Sequence, residues 1–276
     1  MSVSELPAGE IAIFALAIAA SGIVSGLLAG ILGIGGGAVL VPVFYHVFGL
    51  LEVDEAVRMH LSVGSSLAII VPTSIRSFAG HYARGVVDTA LLRNFAVAVP
   101  VGVVLASLTA AWISSEGLRI IFAVLIFVIG LRMLLDRESW RLGKDLPGTP
   151  ARYGVGLVIG YFSTLMGIGG GVMNNTFMTL YSRPIHQAVA TSSGVGVMIA
   201  IPGTIGYIWA GWGNPLLPVF STGYINWIAV ALVIPIALIV TPYGVRIAHA
   251  LKKRQLEIGF GLFCLFVAGR FAISLL

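Results

Sequence analysis

Charged side chains are scarce in this 276-residue chain. Asp, Glu, Lys and Arg make up 10% of the residues and hydrophobic residues make up 58%, whereas about a quarter of the residues in soluble domains are charged. Long apolar runs such as 96–111 recur along the sequence, and runs of this kind require lipid as their solvent. Membrane β-barrels show short alternating segments instead. The sequence therefore predicts an all-α polytopic membrane protein.

Residues that carry common redox, metal or nucleotide chemistry are also few. Cys264 is the only cysteine, so an intramolecular disulfide is excluded, and its apolar neighbours favour a small buried hydrophobe. The three lysines, Lys144, Lys252 and Lys253, follow no glycine-rich phosphate-binding string, which argues against ATP-driven transport. The five histidines form no cluster with ligand spacing, so no metal and no cofactor are expected.

Acidic residues are missing from the interiors of the predicted membrane spans. The acidic residues nearest to them, Asp88, Glu116 and Glu257, lie at span ends. A proton relay of buried carboxylates therefore has no candidate residues, while coupling through histidine or through protonation of the substrate stays open. The N-terminus also lacks the basic region of a signal peptide, because only Glu5 and Glu10 carry charge before or at the first apolar run; it is expected to be retained.

Apolar runs separated by glycine, proline and polar residues predict ten helical elements. Two of them, beginning at Ala38 and Val172, are about ten residues long, or roughly 15 Å as helix, which is half of a bilayer core. These two are predicted to be half-helices or re-entrant arms. The ten predicted elements are Ile11–Leu32, Ala38–Phe48, Leu61–Ala79, Leu91–Ile113, Leu118–Leu135, Tyr153–Leu165, Val172–Tyr181, Val189–Ala210, Tyr224–Val240 and Ile258–Leu275.

One glycine string occurs twice, 134 residues apart. Residues 32–37 read Leu-Gly-Ile-Gly-Gly-Gly, and residues 166–171 read Met-Gly-Ile-Gly-Gly-Gly. Two repeats, residues 1–136 and 152–276, are therefore predicted, joined by a polar cytoplasmic linker at residues 137–151. Further matches follow in the same order: Gly64-Ser65-Ser66 with Ala190-Thr191-Ser192, Gly80 with Gly206, Pro100 with Pro235, and Arg132 with Arg270.

The distribution of Lys and Arg predicts how the chain is oriented. Alternate loops, with five elements per repeat, place twelve basic residues on one side and three, Arg58, Arg119 and Arg270, on the other. The richer side is expected to face the cytoplasm of a cell (inner) membrane, with both termini outside. The bias requires an odd number of crossings per repeat, so the repeats are predicted to be inverted, as in many secondary transporters. The twelve are Arg84, Arg93, Arg132, Arg137, Arg141, Lys144, Arg152, Arg183, Arg246, Lys252, Lys253 and Arg254.

The two glycine strings are the strongest functional signal. Glycines that interrupt an apolar run in a bilayer leave backbone groups in need of partners. A helix that starts directly after them points the positive end of its dipole at the same place, which favours an anion. Close helix packing is the alternative interpretation, whereas a dinucleotide fold is excluded because no strand precedes either string. The candidate donors are the backbones of Gly35, Gly36, Gly37, Gly169, Gly170 and Gly171.

Polar side chains near the strings could complete an anion site. Asn174 and Asn175 lie in the first turn of the element after the second string, where the first repeat has Leu40 and Val41. Amides and hydroxyls suit an oxyanion, although caps, interhelical hydrogen bonds and bonds back to helix carbonyls explain the same residues. The hydroxyl candidates at matching positions of the next elements are Ser65, Ser66, Thr191 and Ser192.

Two basic residues are candidates for a gate or an anion relay. Arg76 is the sixteenth basic residue, set inside a predicted span and assigned to neither side by the charge count, and His81 follows just after the end of that span. For Arg76, snorkelling of the side chain to the cytoplasmic interface is the competing interpretation.

At these positions the chain resembles the sulfite exporter TauE/SafE family, whose members transport sulfur-containing anions. The resemblance covers nearly the whole chain and implies movement of sulfite or an organosulfonate, often outward. It rests on residues 33–37 followed by Pro42, on Gly64-Ser65-Ser66-Leu67 with His81 and Gly85 downstream, and on residues 167–171 followed by Ala190-Thr191-Ser192-Ser193. Thr176 in place of Pro42, and Asn174 and Asn175 in place of apolar residues, depart from the family pattern.

The sequence thus predicts a secondary transporter, either an exporter or a facilitator, for a small sulfur-containing oxyanion. Alternating access around a midplane site is the expected mechanism, the anion and the lipid bilayer are the expected partners, no nucleic acid is expected, and a homo-oligomer is left open. An anion channel shares the dipole site and is the first alternative. An intramembrane hydrolase using Ser65 or Ser192 with His60 is weaker, because no spacing brings nucleophile and base within about 3 Å; the chain is not expected to be an enzyme.

Overall fold

The computed structural model describes residues 8–32, 36–135, 141–250 and 253–274, and these residues form ten α-helices. All ten predicted elements are confirmed, and the protein is a polytopic all-α membrane protein. Within the described ranges, five helices are long and apolar enough to cross a membrane: α3, α4, α5, α8 and residues 227–244 of α9. The helices are α1 (Ala8–Leu32), α2 (Gly37–Leu50), α3 (Glu55–Tyr82), α4 (Thr89–Ala110), α5 (Ser115–Leu135), α6 (Thr149–Leu165), α7 (Gly171–Leu180), α8 (Ile185–Ala210), α9 (Trp227–Ala250) and α10 (Lys253–Ile273).

Several helices start earlier than their apolar runs, because a polar turn precedes the run. α3 begins six residues before the predicted Leu61, directly after Asp54, whose Oδ1 accepts a hydrogen bond from the backbone N–H of Ala56 at 2.8 Å. α4 begins directly after Asp88, whose carboxylate is used in the same way. Side-chain caps of this kind fix a helix start independently of hydrophobicity.

The helices that follow the glycine strings are short, as predicted. α2 has 14 residues and α7 has 10, so α7 spans about 15 Å. A bilayer core is about 30 Å thick, which means that α7 reaches through only half of it. Each of these two helices starts at the last glycine of its string.

Helices from the first five and the last five pack against each other in matching combinations. α1 lies along α9 and α6 lies along α4, while α2 packs on α3 and α7 packs on α8. α3 also contacts α8, and α5 contacts α10. Small residues allow the closest approaches: a Cβ atom on Gly160 of α6 would overlap Val99 O of α4, and a Cβ atom on Gly26 of α1 would lie 2.8 Å from Ala237 O of α9. The packing interpretation of glycine therefore holds at these two helix crossings.

The described part of the predicted linker is attached to the second set of helices. Leu142 donates its backbone N–H to Leu180 O at 2.8 Å, and Ser182 Oγ donates to Gly143 O at 2.9 Å. α6 already begins at Thr149, two residues before the predicted end of the linker at residue 151. Residues 141–148 are thus held against the end of α7.

Candidate functional site

The two glycine strings meet in the interior of the protein. A Cβ atom added to Gly37 would overlap the carbonyl oxygen of Gly167, and one added to Gly167 would lie 3.0 Å from Val41 of α2 and 3.1 Å from the backbone of Val63 of α3. Residues 36–37 and 167–171 are buried. Gly35 lies outside the described residues. The start of α2 therefore lies against the loop that leads into α7, although 130 residues of chain separate the two glycines.

The glycine before each short helix has a left-handed backbone. Gly36 has a φ of 77° and Gly170 has a φ of 71°, and neither α2 nor α7 receives a side-chain cap. Only glycine adopts this conformation without strain. The first turn of an uncapped helix keeps N–H groups without intrahelical partners, so both helix starts present the positive end of a dipole to the loops that touch.

The predicted backbone donors are not equivalent. The N–H of Gly170 donates to Ile168 O at 2.7 Å. Among the described residues, the N–H groups of Gly169 and Gly171 have no acceptor. The same is true of the N–H groups of Gly36 and Gly37, so a ligand could use all four.

Three predicted side chains form one hydrogen-bonded cluster beside the start of α7. Asn174 Nδ2 donates to Ser192 Oγ at 2.8 Å, and Ser192 Oγ donates to Asn175 Oδ1 at 2.7 Å. Asn174 is fully buried, and its Oδ1 accepts no hydrogen bond from any described residue. A buried polar atom without a partner costs about 1–3 kcal/mol, so the cluster has unused hydrogen-bonding capacity.

Ser66 joins the glycine loops, whereas among the described residues the hydroxyl of its neighbour Ser65 bonds elsewhere. Ser66 Oγ donates to Gly167 O at 2.8 Å. Ser65 Oγ accepts the backbone N–H of Asn226 at 2.9 Å. Asn226 in turn accepts from Ala229 N at 3.0 Å, so the Ser65 hydroxyl holds the residue that caps α9.

Thr191 of α8, the repeat match of Ser65, makes the corresponding contact. Its Oγ1 accepts the backbone N–H of Asp88 at 2.9 Å, and Asp88 caps α4. Both hydroxyls are completely buried. The structure thus gives Ser65 and Thr191 a role in fixing the starts of α9 and α4.

The two gate candidates lie in different surroundings. Arg76 lines a cavity of about 740 Å³ between the C-terminal half of α3 and α9, together with Arg84 and Arg246. His81 is buried in the last turn of α3 and is not among the lining residues. Arg76 therefore lines the cavity, whereas His81 is buried and is not part of the lining.

The model of the family named sulfite exporter TauE/SafE matches residues 18–271. The chain belongs to the TauE/SafE family. A probable membrane transporter protein from Haemophilus influenzae is 33% identical over 248 residues, 90% of this chain and 94% of that protein. Others with the same description come from Methanocaldococcus jannaschii, at 26% identity over 251 residues, 86% of this chain and 87% of the relative, and from Bacillus subtilis, at 22% over 253 residues, 85% and 87%. No solved structure matches.

This TauE/SafE protein is therefore a multi-pass membrane transporter. His60 and Ser65, which the hydrolase alternative would pair, bond to other groups. His60 Nε2 lies 3.1 Å from Ala110 O and 3.1 Å from Ile113 O, and Ser65 is bonded to Asn226.

Cys264 is buried, as its apolar neighbours predicted. In the part of the transporter that the structure describes, no three His, Cys, Asp or Glu side chains are grouped closely enough to hold a metal ion.

Two arginines of the transporter make contacts that sequence reasoning did not predict. Arg119 is 7% exposed and donates to Tyr45 Oη at 2.6 Å and to Glu55 Oε1 at 2.9 Å. Arg132 Nη1 donates to Thr176 Oγ1 at 2.9 Å, so α5 contacts α7 close to Asn175. The match of Arg132 with Arg270 in the two repeats singled out Arg132. No local pattern in the sequence indicated the contacts of Arg119.

Proposed function

We propose that this TauE/SafE transporter carries a small sulfur-containing oxyanion, such as sulfite or an organosulfonate, by alternating access. The contact between Gly37 and Gly167 supports this proposal best, because it joins the uncapped start of α2 to the loop before the uncapped start of α7. The substrate binds where these two helix starts converge. The transporter is not an enzyme in this proposal, and it needs no cofactor.

An anion fits this place better than a cation or a neutral molecule. Two helix dipoles contribute positive potential, and Gly169 and Gly171 offer N–H groups that have no acceptor among the described residues. A dehydrated oxyanion needs several convergent donors to offset the loss of its water. Asn174, Asn175 and Ser192 can supply more, since their hydrogen-bonded chain lies at the start of α7.

The substrate class comes from the family description and from the donor set. The family is described by the words sulfite exporter, and sulfite and sulfonates present three oxygens to a shell of donors. Backbone N–H groups, amides and a hydroxyl surround such a group without a full countercharge. Ser66 and Gly36 contribute by shaping the loops, through the Gly167 contact and the turn before α2 respectively.

Two repeats inverted in the membrane explain the matching contacts. The pairing of α1 with α9 repeats in α6 with α4, and the Ser65 contact to Asn226 repeats in Thr191 and Asp88. With residues 1–136 and 152–276 as the two repeats, rocking one against the other would expose the glycine loops alternately to each side. The Arg-rich side faces the cytoplasm across an inner membrane, with both termini outside.

Flux of labelled sulfite into proteoliposomes holding the purified protein tests this proposal. Sulfate, sulfoacetate and taurine serve as competitors, and Asn175→Ala is compared with Asn94→Ala, an amide on α4 outside the cluster. We expect saturable flux that a sulfonate inhibits, a several-fold higher KM in Asn175→Ala, and no change in Asn94→Ala. Absence of flux of any sulfur anion from folded, inserted protein contradicts the proposal, and flux that does not saturate supports a channel instead.

A further inference from the structure

The cavity between α3 and α9 is strongly basic. Arg76, Arg84 and Arg246 line it, and none of the described residues that line it is Asp or Glu. The remaining lining consists of serine, threonine, glycine and apolar side chains. Three guanidinium groups around one space of about 740 Å³ create a positive potential in it.

The cavity lies close to the glycine loop that precedes α7. A Cβ atom on Gly196 would lie 2.6 Å from Ser74 Oγ and 3.3 Å from Gly169 O, so Ser74 of α3 is beside that loop. Ser77, three residues further along α3, lines the cavity. Three residues of helix correspond to about 4.5 Å along the axis, so about one helical turn separates the cavity from the loop.

Ser77 gives the cavity wall an unused hydrogen-bonding group. Its side chain is 3% exposed, and Ser77 Oγ has no hydrogen-bond partner among the residues that the structure describes. A buried hydroxyl without a partner is costly. The Oγ atom itself is buried, so an oxygen atom of a ligand in the cavity would satisfy it after a rotation of the Ser77 side chain.

The matching place in the other half of the protein is closed. Gly80 lines the cavity and has open space around it, whereas a Cβ atom on Gly206, its repeat match, would overlap Ser107 Oγ of α4. In the same alignment Arg76 corresponds to Pro202. One end of the molecule therefore has an open basic cavity, and the other end has a closed contact without the arginine.

We propose that this cavity is an antechamber that binds the oxyanion on its way between water on the Arg-rich side and the glycine loops. Arg76 and Arg246 attract the anion, and Ser77 donates a hydrogen bond to it one turn before the loop. The ligand class is a sulfite or sulfonate group arriving from the aqueous phase. This inference rests on the proposed function, and it adds a second binding position that only one side of the membrane has.

Thiol labelling tests the cavity without measuring transport. Ser77→Cys is treated from the Arg-rich side with a methanethiosulfonate carrying a sulfonate and, separately, with one carrying a trimethylammonium group. Cys264 is buried, so protein without Ser77→Cys provides the background. We expect the anionic reagent to react faster, sulfoacetate, which unlike sulfite does not react with the reagent, to slow it, and the anionic preference to fall about fivefold when Arg76→Gln or Arg246→Gln removes one charge.

Arg93→Gln is the matched control, because Arg93 is exposed on the same side and does not line the cavity. Ser77→Cys combined with Arg93→Gln should be labelled at the same rates as Ser77→Cys alone. Equal preference in all the variants, or no protection by sulfoacetate, overturns the antechamber. In flux assays, Arg76→Gln should raise both the KM and the maximal rate for entry from the Arg-rich side. Charge-selective labelling without any sulfite flux would support the anion-binding cavity and contradict the proposed function. Sulfite flux without charge-selective labelling would support the proposed function and contradict the anion-binding cavity.

A lipid phosphate has the same charge chemistry as the proposed ligand. The labelling is therefore compared in phosphatidylcholine liposomes with and without phosphatidylglycerol. Equal rates, with protection by sulfoacetate in both, support the aqueous oxyanion. Protection by phosphatidylglycerol and none by sulfoacetate would assign the cavity to a lipid headgroup and overturn the proposal.

Discussion

Gly37 and Gly167 are in contact, with the carbonyl oxygen of Gly167 occupying the place where a side chain on Gly37 would begin. The contact joins the start of α2 to the loop before α7. Because backbone lies on both sides of it, neither partner can move aside as a flexible side chain would. The geometry of the proposed anion site therefore depends on the absence of a side chain at Gly37.

The first prediction concerns that contact. Gly37→Ala should abolish sulfite flux and lower the melting temperature in detergent, because the added methyl group pushes the two loops apart. Gly154→Ala is the control: Gly154 lies in α6 with open space around its Cβ position, and alanine there should stabilise the helix by about 0.5–1 kcal/mol. Wild-type flux in Gly37→Ala would show that the loops do not form the site.

The second prediction concerns the cluster at the start of α7. Ser192→Ala removes the hydroxyl that links Asn174 to Asn175 and should cost about 1–3 kcal/mol in stability. The KM for sulfite should rise as the amides lose their positions. The neighbouring Ser193→Ala should have a smaller effect, because Ser193 Oγ donates only to Ala190 O within its own helix, at 2.6 Å. Equal effects of the two substitutions on KM would remove Ser192 from the substrate site.

The third prediction separates structural hydroxyls from substrate-binding ones. Ser65→Ala and Thr191→Val leave the backbone N–H groups of Asn226 and Asp88 without their acceptors. Each variant should lose about 1–3 kcal/mol of stability while the KM of the folded fraction stays unchanged. Thermal unfolding and flux are measured on the same preparation. A raised KM at unchanged melting temperature would return these hydroxyls to the anion site.

The fourth prediction concerns the closed contact between Gly206 and Ser107. Gly206→Ala should hinder closure at that contact, so the population should shift towards the state in which the opposite end, at the arginine cavity, is closed. Labelling of Ser77→Cys from the Arg-rich side should then slow several-fold. Gly80→Ala, made where there is open space, should slow it much less. Unchanged labelling in Gly206→Ala would show that the two ends are not coupled.

The apolar runs predicted every helix, because lipid solvent imposes hydrophobicity over whole spans. The glycine strings predicted where α2 and α7 begin, since the repetition of a costly feature marks a backbone requirement. The start of α3 was missed because Asp54 fixes it through a cap and not through the apolar pattern.

The partners of the candidate residues were beyond a single sequence. Ser65 and Asn226 are 161 positions apart, and nothing local distinguishes Ser65 from Ser66, which bonds to Gly167 instead. Arg119 was assigned to a loop by the charge count, yet it is buried beside Tyr45. Such contacts depend on how helices cross, which the order of residues along one helix does not reveal.

The correspondence of Arg76 with Pro202 has a kinetic consequence. A carrier without an energy source cannot change the equilibrium distribution of its substrate, so tighter capture on one side must be compensated in its maximal rates. The arginine side should saturate at lower substrate concentration and reach a proportionally lower maximal rate from that side. An uncoupled transporter of this design behaves as a partial rectifier. The transport rates in its two directions are equal at low substrate concentration and differ at saturating concentration.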